Sequence, residues 1–270
     1  MTRASVPDLT AVRDVAERSA ERVAALIESA PAPDTRVAHL DWTVRDLAAH
    51  LAVIGEAYAG YASGSAEPVL DVSDIPGGSL ARSSAAVLAA DPEHDLNALA
   101  DRTRRGASDF LHAVDGMPFD DPILWHSRSL SVGCVVGLAA GEYMIHGLDL
   151  ARTLHRPWPL DADDSRVVLS ATLPLLPMLV NPATTKGVRA AFDLRVRGGQ
   201  RVSMLLDNGI LTITEPAGRA DCHISADPVA LMLVSYGRTS QWSPVLRGQM
   251  LAWGPKPWLG LRLTKFLVSP

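Results

Sequence analysis

Apolar positions recur at helical spacing through the first two-thirds of the chain. Over residues 8–30, Val12, Val15, Val23, Ala24, Leu26 and Ile27 alternate with charged residues at the 3.6-residue period of an amphipathic helix. Pro31, Pro33 and Asp34 end it. A second helix is predicted over 43–61, opened by Thr43 with Asp46 three residues on, a capping pair in which Asp replaces the usual Glu or Gln. The stretch 64–78 carries Pro68, Pro76, Gly77 and Gly78 and reads as a loop. A third long helix is predicted over 91–114. Residues 116–130, with Pro118 and Pro122, read as a loop, and a fourth helix covers 131–155 before Pro157 and Pro159 stop it. A shorter helix is expected over 164–179.

The period then changes. Residues 190–196, 201–206, 210–214 and 221–225 read as short strands, and Gly198-Gly199 and Asn208-Gly209 stand where hairpin turns belong. Asp227 caps a helix over 228–236. A strand over 248–253 and a helix over 258–267 complete the chain. The expected fold class is α+β: an antiparallel four-helix bundle over 1–182 and a small α+β domain over 183–270.

Composition narrows the function classes. Hydrophobic residues are 47% of the 270 and charged residues 20%, enough for a packed core. A net charge of -5 disfavours nucleic acid as a partner. No run of about 18 apolar residues suggests a membrane span, and the first ten residues lack the apolar core of a secretory signal, so a cytoplasmic location is expected. Two cysteines, Cys134 and Cys222, exclude an all-thiolate zinc knuckle and read as small buried hydrophobes. Phosphate-loop, dinucleotide, nucleophile-elbow and HExxH motifs are absent from the sequence. Gly133, Gly137 and Gly141 recur every four residues and are read as allowing another helix to approach closely.

The informative residues are polar ones on apolar faces. His50 shares a helical face with Leu47, Val53, Ile54 and Ala57. Glu142 and His146, four apart, share one with Val135, Ala139 and Leu150. A carboxylate buried without a partner costs several kcal/mol, about the scale of a whole domain's margin. Two imidazoles and a carboxylate form a catalytic zinc set with a fourth position left open, and Asp149 is placed to orient an imidazole from behind. A hydrogen-bonded Glu–His pair in an ordinary core is the alternative. His39, His94, His112, His126, His155 and His223 fall near loops or polar faces and read as surface residues.

Two segments carry a family resemblance. WTVRDLAAHL over 42–51 and GEYMIHGLDLA over 141–151 resemble the mycothiol-dependent maleylpyruvate isomerase family. The resemblance implies a DinB-like helical bundle followed by a sterol-carrier-like domain. It implies zinc held by His50, Glu142 and His146, with mycothiol as the thiol cofactor or co-substrate and a small-molecule electrophile as the other partner. It also implies an essential C-terminal arginine, for which Arg238 is the first candidate and Arg247 the second. In such an isomerase the thiol adds to a cis double bond of an unsaturated diacid, the adduct rotates, and elimination leaves the trans isomer. Three other readings stand beside it: a mycothiol S-transferase whose product keeps the sulfur, a non-enzymatic small-molecule-binding protein whose C-terminal domain holds an apolar ligand while the bundle site is vestigial or structural, and a metal-assisted hydrolase in which zinc activates water. Trp242, Trp253 and Trp258 are read either as lining of an apolar pocket or as plain packing.

Overall fold

The computed structural model describes residues 8–65, 91–126, 128–216 and 218–268. Most of the predicted loop over 64–78 lies outside them. The described chain divides into two compact units, 8–160 and 161–268.

Four long helices build the first unit: α1 (Leu9–Glu28), α2 (Val44–Ser63), α3 (Leu96–Ala113) and α4 (Val132–Thr153). Each starts at a side-chain cap. Asp8 accepts from Thr10 N, Asp95 from Ala98 N and Ser131 from Cys134 N. At α2 the Thr43–Asp46 pair closes a complete capping box, with Thr43 N donating to Asp46 Oδ2 at 2.9 Å and Asp46 N to Thr43 Oγ1 at 3.1 Å. α3 begins later than the expected residue 91, because Pro92 and the turn held by the Glu93 carboxylate occupy that stretch. The helices contact one another in a ring, α1 with α3 and α4, and α2 with α3 and α4.

The closest approach is between α2 and α3. A Cβ on Gly106 would lie 2.9 Å from backbone atoms of Gly55 and Glu56, and one on Gly55 would lie 3.0 Å from Gly106. Only glycine allows two helix backbones to meet so closely. Gly133, by contrast, makes room for a side chain: a Cβ there would fall on the ring of Phe119. The expected loop over 116–130 contains a hairpin, β1 (Pro122–Trp125) with β2 (Arg128–Ser131), whose Ile123, Trp125 and Leu130 are buried. Each strand is too short for its alternation to stand out from the surrounding prolines.

The second unit starts at Asp161, earlier than the expected boundary at 182/183. The reason is packing: α5 (Ala162–Thr172) contacts α7 (Pro228–Ser235), and Leu173 and Leu176 of the 3-10 turn Leu173–Leu179 join the core of this unit. Pro174 and Pro177 stop α5 short of residue 179. After α6 (Pro182–Thr185), strands β3 (Arg189–Val196), β4 (Arg201–Asp207), β5 (Ile210–Thr214), β6 (Cys222–Ala226) and β7 (Met250–Trp253) form one sheet in the order β5-β4-β3-β6-β7. β3 and β6 are parallel and the other pairs antiparallel. Asn208 and Gly209 both adopt positive φ in the two-residue turn between β4 and β5. α8 (Trp242–Leu246) precedes β7. The expected final helix resolves into a 3-10 turn, Pro257–Arg262, and a single turn α9 (Leu263–Phe266), since Gly260 must approach Ala252 and Cys222.

Phe192, Leu194, Met204, Leu206, Cys222 and Ile224 fill the core on one sheet face. The other face carries Asp193 beside His223, with Trp253 next in register. Asp193 accepts from Arg201 Nε and Nη2 and from His223 Nδ1, each at 2.7 Å. The Arg201 guanidinium, with His223, holds its carboxyl below the usual range. Trp253 stacks on His223, so that histidine is a structured group and not the bare surface residue expected. Trp242, Trp253 and Trp258 are all exposed.

The Gly55–Gly106 contact yields a direct test. Gly106→Ala must push two helices apart and should destabilise the chain by about 1–3 kcal/mol, read as a lower thermal midpoint. Gly116→Ala, where no atom lies within 4 Å but φ is +72°, separates backbone strain from crowding.

Candidate metal centre

α2 and α4 bring their polar side chains together within the first unit. His50 lies two turns into α2 from its capping box. Glu142, His146 and Asp149 share one face of α4, spaced by four and three residues. His50 Nε2 lies 3.4 Å from Glu142 Oε2, and His146 Nε2 lies 3.1 Å from the same oxygen. One ligand atom from each of the three falls within 4.8 Å of the others. A tetrahedral ion with ligands at about 2.0–2.1 Å separates its ligand atoms by about 3.3–3.4 Å, close to both distances at Glu142 Oε2, and two imidazoles with a carboxylate are a donor set that could hold a divalent ion such as zinc. The imidazole rings meet edge to face, 5.0 Å apart.

Neighbouring groups fix the two imidazoles. The fully buried Asp149 pairs through Oδ2 with His146 Nδ1 at 3.2 Å, which directs Nε2 toward Glu142. Thr153 Oγ1 donates to the Asp149 carbonyl at 2.9 Å and accepts from Ala38 N at 3.0 Å. Gly147 leaves room for the Trp158 ring, whose Nε1–H donates to Met144 O at 3.0 Å, so the turn carrying His146 is held from its far side. The Trp42 ring lies 4.7 Å from that of His50 and 6.0 Å from that of His146. Trp42 is fixed in turn, because its carbonyl accepts from Val37 N and Thr43 next to it caps α2.

The electrostatics follow from these distances. Burial opposes ionisation of Glu142, but His146 and His50 outweigh it and hold the carboxyl well below its usual range. Burial pushes the His50 imidazole down, against the pull of Glu142. Burial also acts on His146, but Asp149 and Glu142 together reverse it and raise its proton affinity. The cluster therefore favours an ionised carboxylate with a neutral imidazole on α2.

Val135, Ala139 and Leu150, expected to share the Glu142 face, are fully buried. The His50 face differs from expectation: Leu47 is buried, but Val53, Ile54 and Ala57 are only half-buried. Arg238 and Arg247 lie in the second compact unit. Arg238 is half-buried and donates through Nη1 to Tyr236 O at 2.6 Å, while Arg247 is exposed. Burial pushes the Cys134 thiol up to about 12, which suits a packing residue and not a nucleophile. Two aromatic features escaped the sequence reading. Trp42 stands inside the segment that carries the resemblance, but only the fold shows its ring against both histidines. His126, expected at the surface, is half-buried and bonded to Tyr61.

The pKa directions set a pH dependence for metal binding. Metal requires neutral imidazoles, and His146 keeps its proton to a higher pH than an ordinary histidine at about 6.5. Affinity should hold steady above that raised value and fall by about tenfold per pH unit below it. Zinc competition against a chelating dye from about pH 5 to 8 reads this directly. Affinity unchanged down to about pH 5 would exclude these ligands.

Comparison with known proteins bears on the same residues. Residues 12–151 match the family described as the mycothiol maleylpyruvate isomerase N-terminal domain, a span that contains all three clustered residues. Among solved structures, the crystal structure of the mycothiol-dependent maleylpyruvate isomerase aligns with a TM-score of 0.54 and 14% identity, covering 95% of this chain and 99% of that one. The structure of a histidine-to-alanine mutant of that enzyme aligns with a TM-score of 0.53 and 15% identity over the same shares. At these identities the likeness speaks for the two-part α+β fold. No curated protein matches the chain in sequence. The match over more than half of its length shows that the chain belongs to the mycothiol maleylpyruvate isomerase family.

Proposed function

We propose that the chain is a zinc- and mycothiol-dependent isomerase that converts a cis-unsaturated diacid of the maleylpyruvate type into its trans isomer. The observation that carries this reading is the His50–Glu142–His146 cluster, in which ligand atoms from two helices fall within 4.8 Å of one another. Membership of the family supports the reaction class. No described helix is long and apolar enough to cross a membrane, in keeping with the cytoplasmic location we propose.

Zinc held there would supply positive charge that stabilises the thiolate form of a thiol whose ordinary pKa is about 8.5. The chain's own residues do the rest. Glu142 is already ionised and offsets the charge of a cation. Asp149 orients His146 and keeps its Nε2 directed at the centre. Trp42 lies with its ring beside both imidazoles and limits the positions they can take. The sulfur adds to the double bond, the electron pair moves onto the conjugated carbonyl, and the former double bond turns as a single bond. The same pair then returns and expels the sulfur, so the thiol is regenerated. The diacid's carboxylates need a cation, the role we propose for Arg238.

The decisive assay supplies zinc-loaded protein with maleylpyruvate, with and without mycothiol. Turnover that requires the thiol, with a product free of sulfur by mass spectrometry, is expected, and His146→Ala should abolish it. A product that retains the sulfur would make the chain an S-transferase. Equal turnover without thiol would overturn the proposal.

A further inference from the structure

The face of α2 that carries His50 leads to a second polar cluster. Tyr61 follows His50 by eleven residues, which returns it to within about 20° of the same direction and places it about 16 Å further along the axis. Between them lie Val53, Ile54 and Ala57, which α2 leaves half-buried. At the far end the Tyr61 hydroxyl meets His126 Nδ1 at 3.0 Å. The His126 ring lies 5.1 Å from that of Tyr61 and 4.5 Å from that of Trp125.

Three features of this cluster are costly for a purely structural element. Trp125 is buried, yet its indole Nε1–H has no hydrogen-bond partner among the described residues, which costs stability unless an acceptor arrives. His126 adopts φ +44° at the hairpin turn, a conformation that side-chain-bearing residues rarely take. Burial also pushes its imidazole down to about 4, so it is neutral at ordinary pH. A neutral imidazole bonded through Nδ1 offers its second nitrogen as donor or acceptor, according to tautomer. A hydroxyl group satisfies either tautomer, and its oxygen also accepts from an indole N–H.

We infer that Tyr61, Trp125 and His126 form a distal subsite for the hydroxyl-rich end of a thiol whose sulfur lies at the His50–Glu142–His146 cluster. The inference rests on the thiol reading above and adds to it the half of the ligand that carries no sulfur. About 16 Å is the span of roughly five extended residues, so a bare cysteine is too short and a cysteine joined to sugar-like rings is the right class. The half-buried apolar stretch of α2 would lie beneath the ligand's middle.

The test is calorimetric titration of the zinc-loaded full chain with mycothiol and, separately, with N-acetylcysteine, which carries the thiol without the polyol. Two variants remove one polar atom each and keep the ring: Trp125→Phe and Tyr61→Phe. Zinc content and circular dichroism confirm that each is folded and loaded, and either alone suffices if the other fails. Mycothiol should bind about three- to tenfold more weakly to the variants, while N-acetylcysteine binds as to the unaltered chain. Unchanged mycothiol affinity in the variants would overturn the subsite and leave the thiol reading standing. Equal weakening of both thiols would place the effect at the metal end and also overturn it. An unaltered chain that binds neither thiol would overturn the thiol reading, and the subsite with it.

Discussion

A half-buried, ionised carboxylate between two imidazoles is the constraint that the first unit is organised around. Glu142 has burial against it and two histidines in its favour, and the histidines win only because both Nε2 atoms lie within 3.4 Å. Those distances require α2 and α4 to hold a fixed register. The capping box at Thr43, the Trp42 ring against His50 and the Trp158 ring seated on Gly147 each remove a way for that register to slip. A charge cluster in an apolar bundle is costly unless every member is paired, and here each one is.

The same arrangement is poised for a cation. Without one, the three residues share protons unevenly: His146, between Glu142 and Asp149, holds a proton readily, and His50, with a single carboxylate partner, does not. A divalent ion would replace that proton and bind the same lone pairs. Asp149 serves both states, since it stabilises a protonated His146 and orients a neutral one.

Much of this was legible in the sequence because helical periodicity is a strong signal over four long segments. Placing His50, Glu142 and His146 on apolar faces needed only the 3.6-residue period, and the capping pair at Thr43 needed only local chemistry. What stayed hidden depends on contacts distant in sequence. The 122–131 hairpin is too short for period-2 alternation to register, and its Pro122 reads as a loop signal. The start of the second unit at Asp161 follows from which core Leu173 and Leu176 join, which no local pattern encodes. Tyr61 stands on the same face as His50 by simple arithmetic, but its partner His126 comes from that unrecognised hairpin. The Asp193–His223 pair was hidden for a like reason, since it depends on two non-consecutive strands lying side by side.

The central claim is that the three clustered residues are metal ligands. Elemental mass spectrometry of the untagged chain beside His50→Ala tests it most directly. About one zinc per chain is expected, lost in the variant. No metal in either protein, even after reconstitution with zinc, would contradict it and make Glu142 and its two histidines a structural core cluster.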